Sequence, residues 1–224
     1  MDNIYKGSFV ALISPFLDNK LDEVTFQKLI DWQISEGTKG LVPCGTTGES
    51  PTLSHSEHEK IIALTIEVAN GRVPVMAGTG SNSTEEAIKL TRYAKTAGAD
   101  SALIVMPYYN KPTQEGMYAH FKAINDAVDF PIFIYNIPGR SVVDMSIDTM
   151  VKLANLPNII GVKDASNDPI RPTLLKNALE GKDFVQFSGE DPSQLPFMAS
   201  GGDGIISVTA NIAPNLMSEF HKLW

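Results

Sequence analysis

Ile159-Ile160-Gly161-Val162-Lys163-Asp164 is an almost wholly apolar run that ends on a lysine. A strand wetted on one face alternates apolar and polar residues, whereas a continuous apolar run marks a strand covered on both faces. Similar runs recur at residues 9–13, 40–44, 73–77, 102–106, 131–135, 184–188 and 204–208, giving eight strand candidates in all. Between them lie segments of helical period at 24–35, 57–69, 84–97, 114–128, 147–156 and 171–179, with an eighth helix expected over 215–224. Ser54, Ser83 and Thr113 stand where N-caps belong, each followed by acidic residues, and Gly37, Gly71, Gly98 and Gly181 stop helices before the next strand. Pro74 and Pro131 fall at strand starts, where a missing N–H does least harm.

Buried strands joined by helical crossovers require a parallel sheet, and eight such units are the number that closes a (β/α)8 TIM barrel. No Ser/Pro/Gly-rich linker divides the chain, so residues 1–224 read as one barrel domain. A doubly wound open sheet is the second architecture. Its dinucleotide fingerprint is missing after the first strand, and Gly78-Thr79-Gly80 after the third lacks the last glycine.

The 224 residues carry a formal net charge of −8 and are 43% hydrophobic, which suits a water-soluble domain and argues against a nucleic-acid binder. The only cysteine, Cys44, cannot form an intrachain disulfide and reads as the buried end of a strand. The single apolar stretch near the start is interrupted by Pro15 and has no basic leader, so a cytoplasmic protein without membrane contact is expected.

In such a barrel the chemistry sits at the C-terminal ends of the strands. Polar residues gather there: Gly45-Thr46-Thr47-Gly48-Glu49-Ser50, Pro107-Tyr108-Tyr109-Asn110, Tyr135-Asn136-Ile137-Pro138-Gly139-Arg140 and Lys163-Asp164. A lysine closing an apolar strand either snorkels to water or is a desolvated amine able to attack a carbonyl. Tyr135 lies 28 residues before Lys163, one barrel unit away, so phenol and amine can share the mouth. The glycine-flanked threonine pair is a tight turn that can also offer N–H and hydroxyl groups to a small carboxylate. Tyr108 and Tyr109 are either aromatic plugs of the mouth or proton carriers. Arg140 is a surface cation or a clamp for a second carboxylate. His55 and His58 form a His-x-x-His pair on one helical face, readable as zinc ligands, as solvated histidines at a helix start, or as part of a regulatory site.

These segments, together with Lys111-Pro112-Thr113-Gln114-Glu115-Gly116 and Ile206-Ser207-Val208-Thr209-Ala210-Asn211, are similar to the signature segments of the dihydrodipicolinate synthase family within the class I pyruvate-dependent lyases. The resemblance spans essentially the whole chain. It implies a Schiff base between Lys163 and pyruvate, an enamine that attacks L-aspartate 4-semialdehyde, and a product that feeds diaminopimelate and lysine synthesis, with no metal or organic cofactor. It gives Thr46 and Thr47 to the pyruvate carboxylate, and Thr47, Tyr109 and Tyr135 to a proton relay whose middle tyrosine comes from a neighbouring subunit of a homo-oligomer, dimer or tetramer. Arg140 is given to the semialdehyde carboxylate, and Gly189 and Ile206 to the pocket lining. Ser50, His55, His58, Asn82, Glu86 and Tyr108 match an L-lysine inhibitor site, with Pro51 where a small residue is expected. Family members continue into a C-terminal helical domain, so the resemblance implies an eighth helix cut short and that domain absent. Sugar-acid aldolases, such as N-acetylneuraminate and keto-deoxy-sugar-acid lyases, share the lysine and the Tyr-Asn-x-Pro segment and are the alternative enzymes; a truncated, inactive barrel is the non-enzymatic alternative.

Overall fold

The structure, a computed structural model, describes residues 4–224. Eight parallel strands form one sheet: β1 (Gly7–Ala11), β2 (Gly40–Val42), β3 (Met76–Gly78), β4 (Ser101–Val105), β5 (Ile132–Asn136), β6 (Ile159–Asp164), β7 (Val185–Ser188) and β8 (Gly204–Ser207). Their spatial order is β2-β1-β8-β7-β6-β5-β4-β3. A parallel bridge from Leu41 to Val75 joins the two ends, with hydrogen bonds from Leu41 N to Pro74 O at 3.0 Å and from Gly78 N to Pro43 O at 2.9 Å. The sheet therefore closes into the expected barrel, and the open doubly wound sheet is excluded.

Around it run α1 (Glu23–Ser35), α2 (His55–Ala69), α3 (Thr84–Ala97), α4 (Gln114–Ala127), α5 (Ile147–Leu153), α6 (Arg171–Ala178), α7 (Gln194–Ala199) and α8 (Pro214–Leu223). The three N-caps read from the sequence hold, and Asp22 and Ser146 cap α1 and α5 as well. Ser54 accepts from Glu57 N in a full capping box, Ser83 from Glu86 N and Thr113 from Gly116 N. Gly98 ends α3 at φ +99°, a conformation that costs a glycine little. Several boundaries move: the first strand, read at 9–13, runs Gly7–Ala11, and α2, read from 57, begins at His55. The third strand begins at Met76 rather than residue 73, because Pro74 has no N–H to place in the ladder. Helix α7 went unread, since six residues show no period and Pro196 argues against a helix; at the third position it removes an N–H that has no intrahelical partner anyway.

Two apolar layers result. Phe9, Val42, Met76, Leu103, Phe133, Phe187 and Ile206 fill the barrel interior, with the Phe9 and Phe187 ring centres 4.9 Å apart. Ile30, Ile61, Ile104, Phe121, Ile134 and Val162 belong to the layer between sheet and helices. Gly161 makes room for the interior: a Cβ there would lie 2.4 Å from the Phe133 ring. Among the described residues no helix is long and apolar enough to cross a membrane. On the α8 flank Ile212, Leu216, Leu223 and Trp224 are exposed.

Candidate active site

Lys163 and Tyr135 occupy facing register positions on β6 and β5, directly above the Phe133 layer. Both are buried, at 4% and 5% exposure, and the lysine Nζ lies 4.2 Å from the centre of the tyrosine ring. Strict alternation from Ile159, which faces the helices, would turn Lys163 outward as well. A bulge prevents this. Ile159 pairs with Ile132 and Gly161 with Phe133, so Ile160 is an extra residue that resets the alternation and aims Lys163 into the barrel. Gly189, after β7, closes over the amine; a Cβ at that position would stand 3.2 Å from Lys163 Cε and 2.7 Å from Ala165 Cβ. Ile206 is fully buried on β8.

The Gly45-Thr46-Thr47-Gly48 segment leaves the end of β2 as a turn closed by Glu49 N donating to Thr46 O at 3.1 Å, and Ser14 Oγ donates to Gly48 O at 2.9 Å. Among the described residues no acceptor receives a hydrogen bond from the amides of Thr46, Thr47 or Gly48. Consecutive free N–H groups of this sort form an anion-binding concavity. Thr46 and Tyr135 line one small cavity together with Cys44, Gly78 and Val105. Burial pushes the Cys44 thiol far up its scale, which leaves it protonated and inert.

Tyr109 is not a plug of the mouth: it is 86% exposed. Its backbone has φ +70°, and Asn110 N donates to Tyr108 O across it at 2.8 Å, a three-residue turn of the strained hand. Asn110 Nδ2 ties this turn to Asn82 O at 2.9 Å. No hydrogen bond joins Thr47, Tyr109 and Tyr135 within the described residues of this single chain. Arg140 is exposed on the four-residue helical turn Pro138–Ser141, with no side-chain partner among the described residues.

A separate 170 Å³ cavity is lined by Ser50, His55, His58, Glu86 and Tyr108; Asn82 is outside its lining. His55 Nε2 meets Glu86 Oε1 at 2.6 Å. Hydrogen bonds from Ser81 and then His55 hold the Glu86 carboxyl below its ordinary range, while burial, followed by the Glu86 charge, raises the Tyr108 phenol. His58 is buried rather than solvated: its Nε2 contacts Gly78 O at 2.7 Å, and desolvation lowers its pKa. Among the described residues no group of three or more His, Cys, Asp or Glu side chains is arranged to hold a metal.

One cluster escaped the sequence reading. Asn136 and Asp164, each one residue past Tyr135 and Lys163, turn to the outer face and join at 3.1 Å, where Arg171 and Asp144 meet them. Asn136 and Asp164 lie inside the strand-end segments but carry no sequence signal of this contact, and nothing local to Arg171 or Asp144 announces it.

A buried amine beside a phenol, at the rim where barrels of this type keep their chemistry, defines a (β/α)8-barrel protein with an amine-centred site. A family model described as the dihydrodipicolinate synthetase family matches residues 4–224. A 4-hydroxy-tetrahydrodipicolinate synthase of Rhodospirillum centenum is 64% identical over 222 residues, which are 99% of this chain and 76% of that relative. The solved chloride-inhibited dihydrodipicolinate synthase of Acinetobacter baumannii, complexed with pyruvate, is 52% identical with a TM-score of 0.95, covering 97% of this chain and 75% of that one. The enzyme of Cyanidioschyzon merolae with lysine bound is 36% identical with a TM-score of 0.94, covering 99% and 76%. The chain belongs to the dihydrodipicolinate synthetase family.

Proposed function

We propose that this chain condenses pyruvate with L-aspartate 4-semialdehyde to give 4-hydroxy-tetrahydrodipicolinate. The observation that carries the reading is the inward-facing, buried Lys163 beside Tyr135, in a chain 64% identical to a named synthase. The Lys163 amine adds to the pyruvate ketone and the carbinolamine loses water to a protonated imine. That nitrogen is the electron sink for loss of a methyl proton, and the resulting enamine attacks the aldehyde carbon. The amino group of the acceptor then closes on the imine carbon and releases Lys163.

Tyr135, whose hydroxyl has no partner among the described residues, moves protons at the carbinolamine and enamine stages. Thr46 and Thr47 hold the pyruvate carboxylate through their hydroxyls and the free amides of their turn. Arg140, a free planar cation on the rim, takes the semialdehyde carboxylate. Gly189 and Ile206 shape the pocket around the imine. Tyr109 completes the relay from Thr47 to Tyr135 in a neighbouring copy; its exposure and strained turn support a side chain built to reach outward. That reading requires a homo-oligomer, which we place in the cytoplasm. The 170 Å³ cavity takes L-lysine as an inhibitor, with Glu86 facing the ligand ammonium.

The test is trapping: incubation with pyruvate, reduction with borohydride, and mass spectrometry of the peptide containing Lys163. A folded sample without adduct overturns the proposal. Given an adduct, a comparison of the semialdehyde with sugar-derived aldehydes as acceptors separates a synthase from a sugar-acid lyase.

A further inference from the structure

We propose that Asp164, Arg171, Asp144 and Asn136 are positioning residues which fix the acceptor-binding loop of Arg140 relative to the Schiff-base lysine; this rests on the reading of Lys163 and Arg140 given above. The geometry is a closed clamp on the outer face of the barrel. Arg171, the first residue of α6, donates from Nε to Asp164 Oδ2 at 2.9 Å, from Nη1 to Asp144 Oδ2 at 3.3 Å and from Nη2 to Met145 O at 2.7 Å. Asn136 donates to Asp164 Oδ2 at 3.1 Å and to Asp144 Oδ1 at 2.8 Å, and its own Oδ1 accepts from Met145 N at 3.1 Å. The second oxygen of Asp164 accepts from Ser166 N at 2.9 Å and Ser166 Oγ at 2.5 Å.

Two consequences give the clamp its role. First, Asp164 and Asn136 are covalent neighbours of Lys163 and Tyr135, so each strand end presents its chemical residue inward and its bracing residue outward. Second, the clamp ties both strand ends to Asp144 and Met145, the far end of the loop that carries Arg140. That loop needs restraint. Val142, a β-branched residue, is held at φ +69°, and such conformations persist only where the surroundings over-determine them. The near end of the loop is fixed by Ser141 Oγ, which lies 2.8 Å from Ile137 O and 3.0 Å from Val143 O and shares its single proton between them. A cation that must meet one end of a substrate while an amine-bound enamine meets the other gains from fixed spacing, since small misplacements cost large factors in rate.

Asp144 is half exposed, so Asp144→Asn tests the clamp with little risk to folding, and Arg171→Lys keeps the charge but removes the planar fork. For both variants we expect the yield of borohydride-trapped pyruvate adduct to stay within about twofold of the parent while KM for the semialdehyde rises roughly tenfold or more. In an Arg140→Ala background Asp144→Asn should add little further, because the group it positions is gone. A fall in Tm with unchanged semialdehyde KM would show a stability brace only and overturn the inference, as would a parallel loss of adduct and semialdehyde affinity. Lack of adduct in the parent chain would instead sink the Schiff-base reading, and this inference with it.

Discussion

Lys163 Nζ is held 4.2 Å from the centre of the Tyr135 ring by facing register positions on two hydrogen-bonded strands. The phenol is therefore positioned by backbone pairing rather than by a flexible loop. Tyr135→Phe keeps the ring against the amine and removes only the hydroxyl. It is expected to lower kcat by about 10²- to 10³-fold while borohydride still traps pyruvate on Lys163. Lys163→Ala is expected to give no adduct. An adduct elsewhere, or full activity in Tyr135→Phe, would contradict the assigned roles.

Gly189→Ala tests how tightly the amine is enclosed. The new methyl would sit 2.7 Å from Ala165 Cβ and 3.2 Å from Lys163 Cε, so the neighbours must move. Thermal melts should show a loss of about 1–3 kcal/mol, and adduct formation should slow. Parent-like values in both measurements would mean that the amine has more room than the geometry allows.

Tyr109 provides a test by mixing. Lys163→Ala and Tyr109→Phe chains should each be nearly inactive alone. Co-refolded together, a chain with intact Tyr109 can serve a partner with intact Lys163, and activity should rise above the sum of the separate preparations. Failure to rise would place Tyr109 in its own chain or outside the reaction.

The cavity at Glu86 predicts inhibition by L-lysine in steady-state assays, and its loss in Glu86→Gln, where the charge facing the ligand ammonium is removed. Parent rates that stay flat across a wide lysine titration would remove this site from the account.

His120 predicts an acid-sensitive step in stability. Desolvation lowers its pKa from 6.5 to about 4, its Nδ1 meets Thr84 Oγ1 at 2.9 Å, and its Nε2 is buried without a partner among the described residues. Between these two values the unfolded chain binds a proton that the folded chain does not. Stability should therefore fall as pH drops from about 6.5 to about 4, by up to roughly 3 kcal/mol from this residue. In His120→Gln the denaturant midpoint should vary less across that window; an unchanged slope would assign the acid sensitivity elsewhere.

Much of the barrel was legible because its strands are buried on both faces and its helices announce their caps. Residues 84–97 read from sequence match α3 without correction, since Ser83 and Gly98 bracket it with opposite backbone preferences. Helix α7 was illegible for the opposite reason: it is short and carries Pro196. At the site, Lys163 and Tyr135 stood out through their spacing. His58 was readable as a zinc ligand, a solvated histidine or part of a regulatory site; its ring is buried against the Gly78 carbonyl and lines the Glu86 cavity, a contact that no local pattern announces. The Arg171 clamp was hidden because it joins residues 7 and 27 positions apart across two loops, with no periodic or local signature.

The extra residue at Ile160 bears on any attempt to move this chemistry elsewhere. The identity of Lys163 does not by itself decide whether the barrel offers an amine to a ligand; the local count of paired residues does. A graft that copies Lys163, Tyr135 and the threonine turn onto a regularly paired barrel would, from the same outward-facing start, deliver the amine into the helix layer. The transferable unit is the pair of strands with their irregularity, because the face on which the amine emerges is inherited from an offset in the ladder.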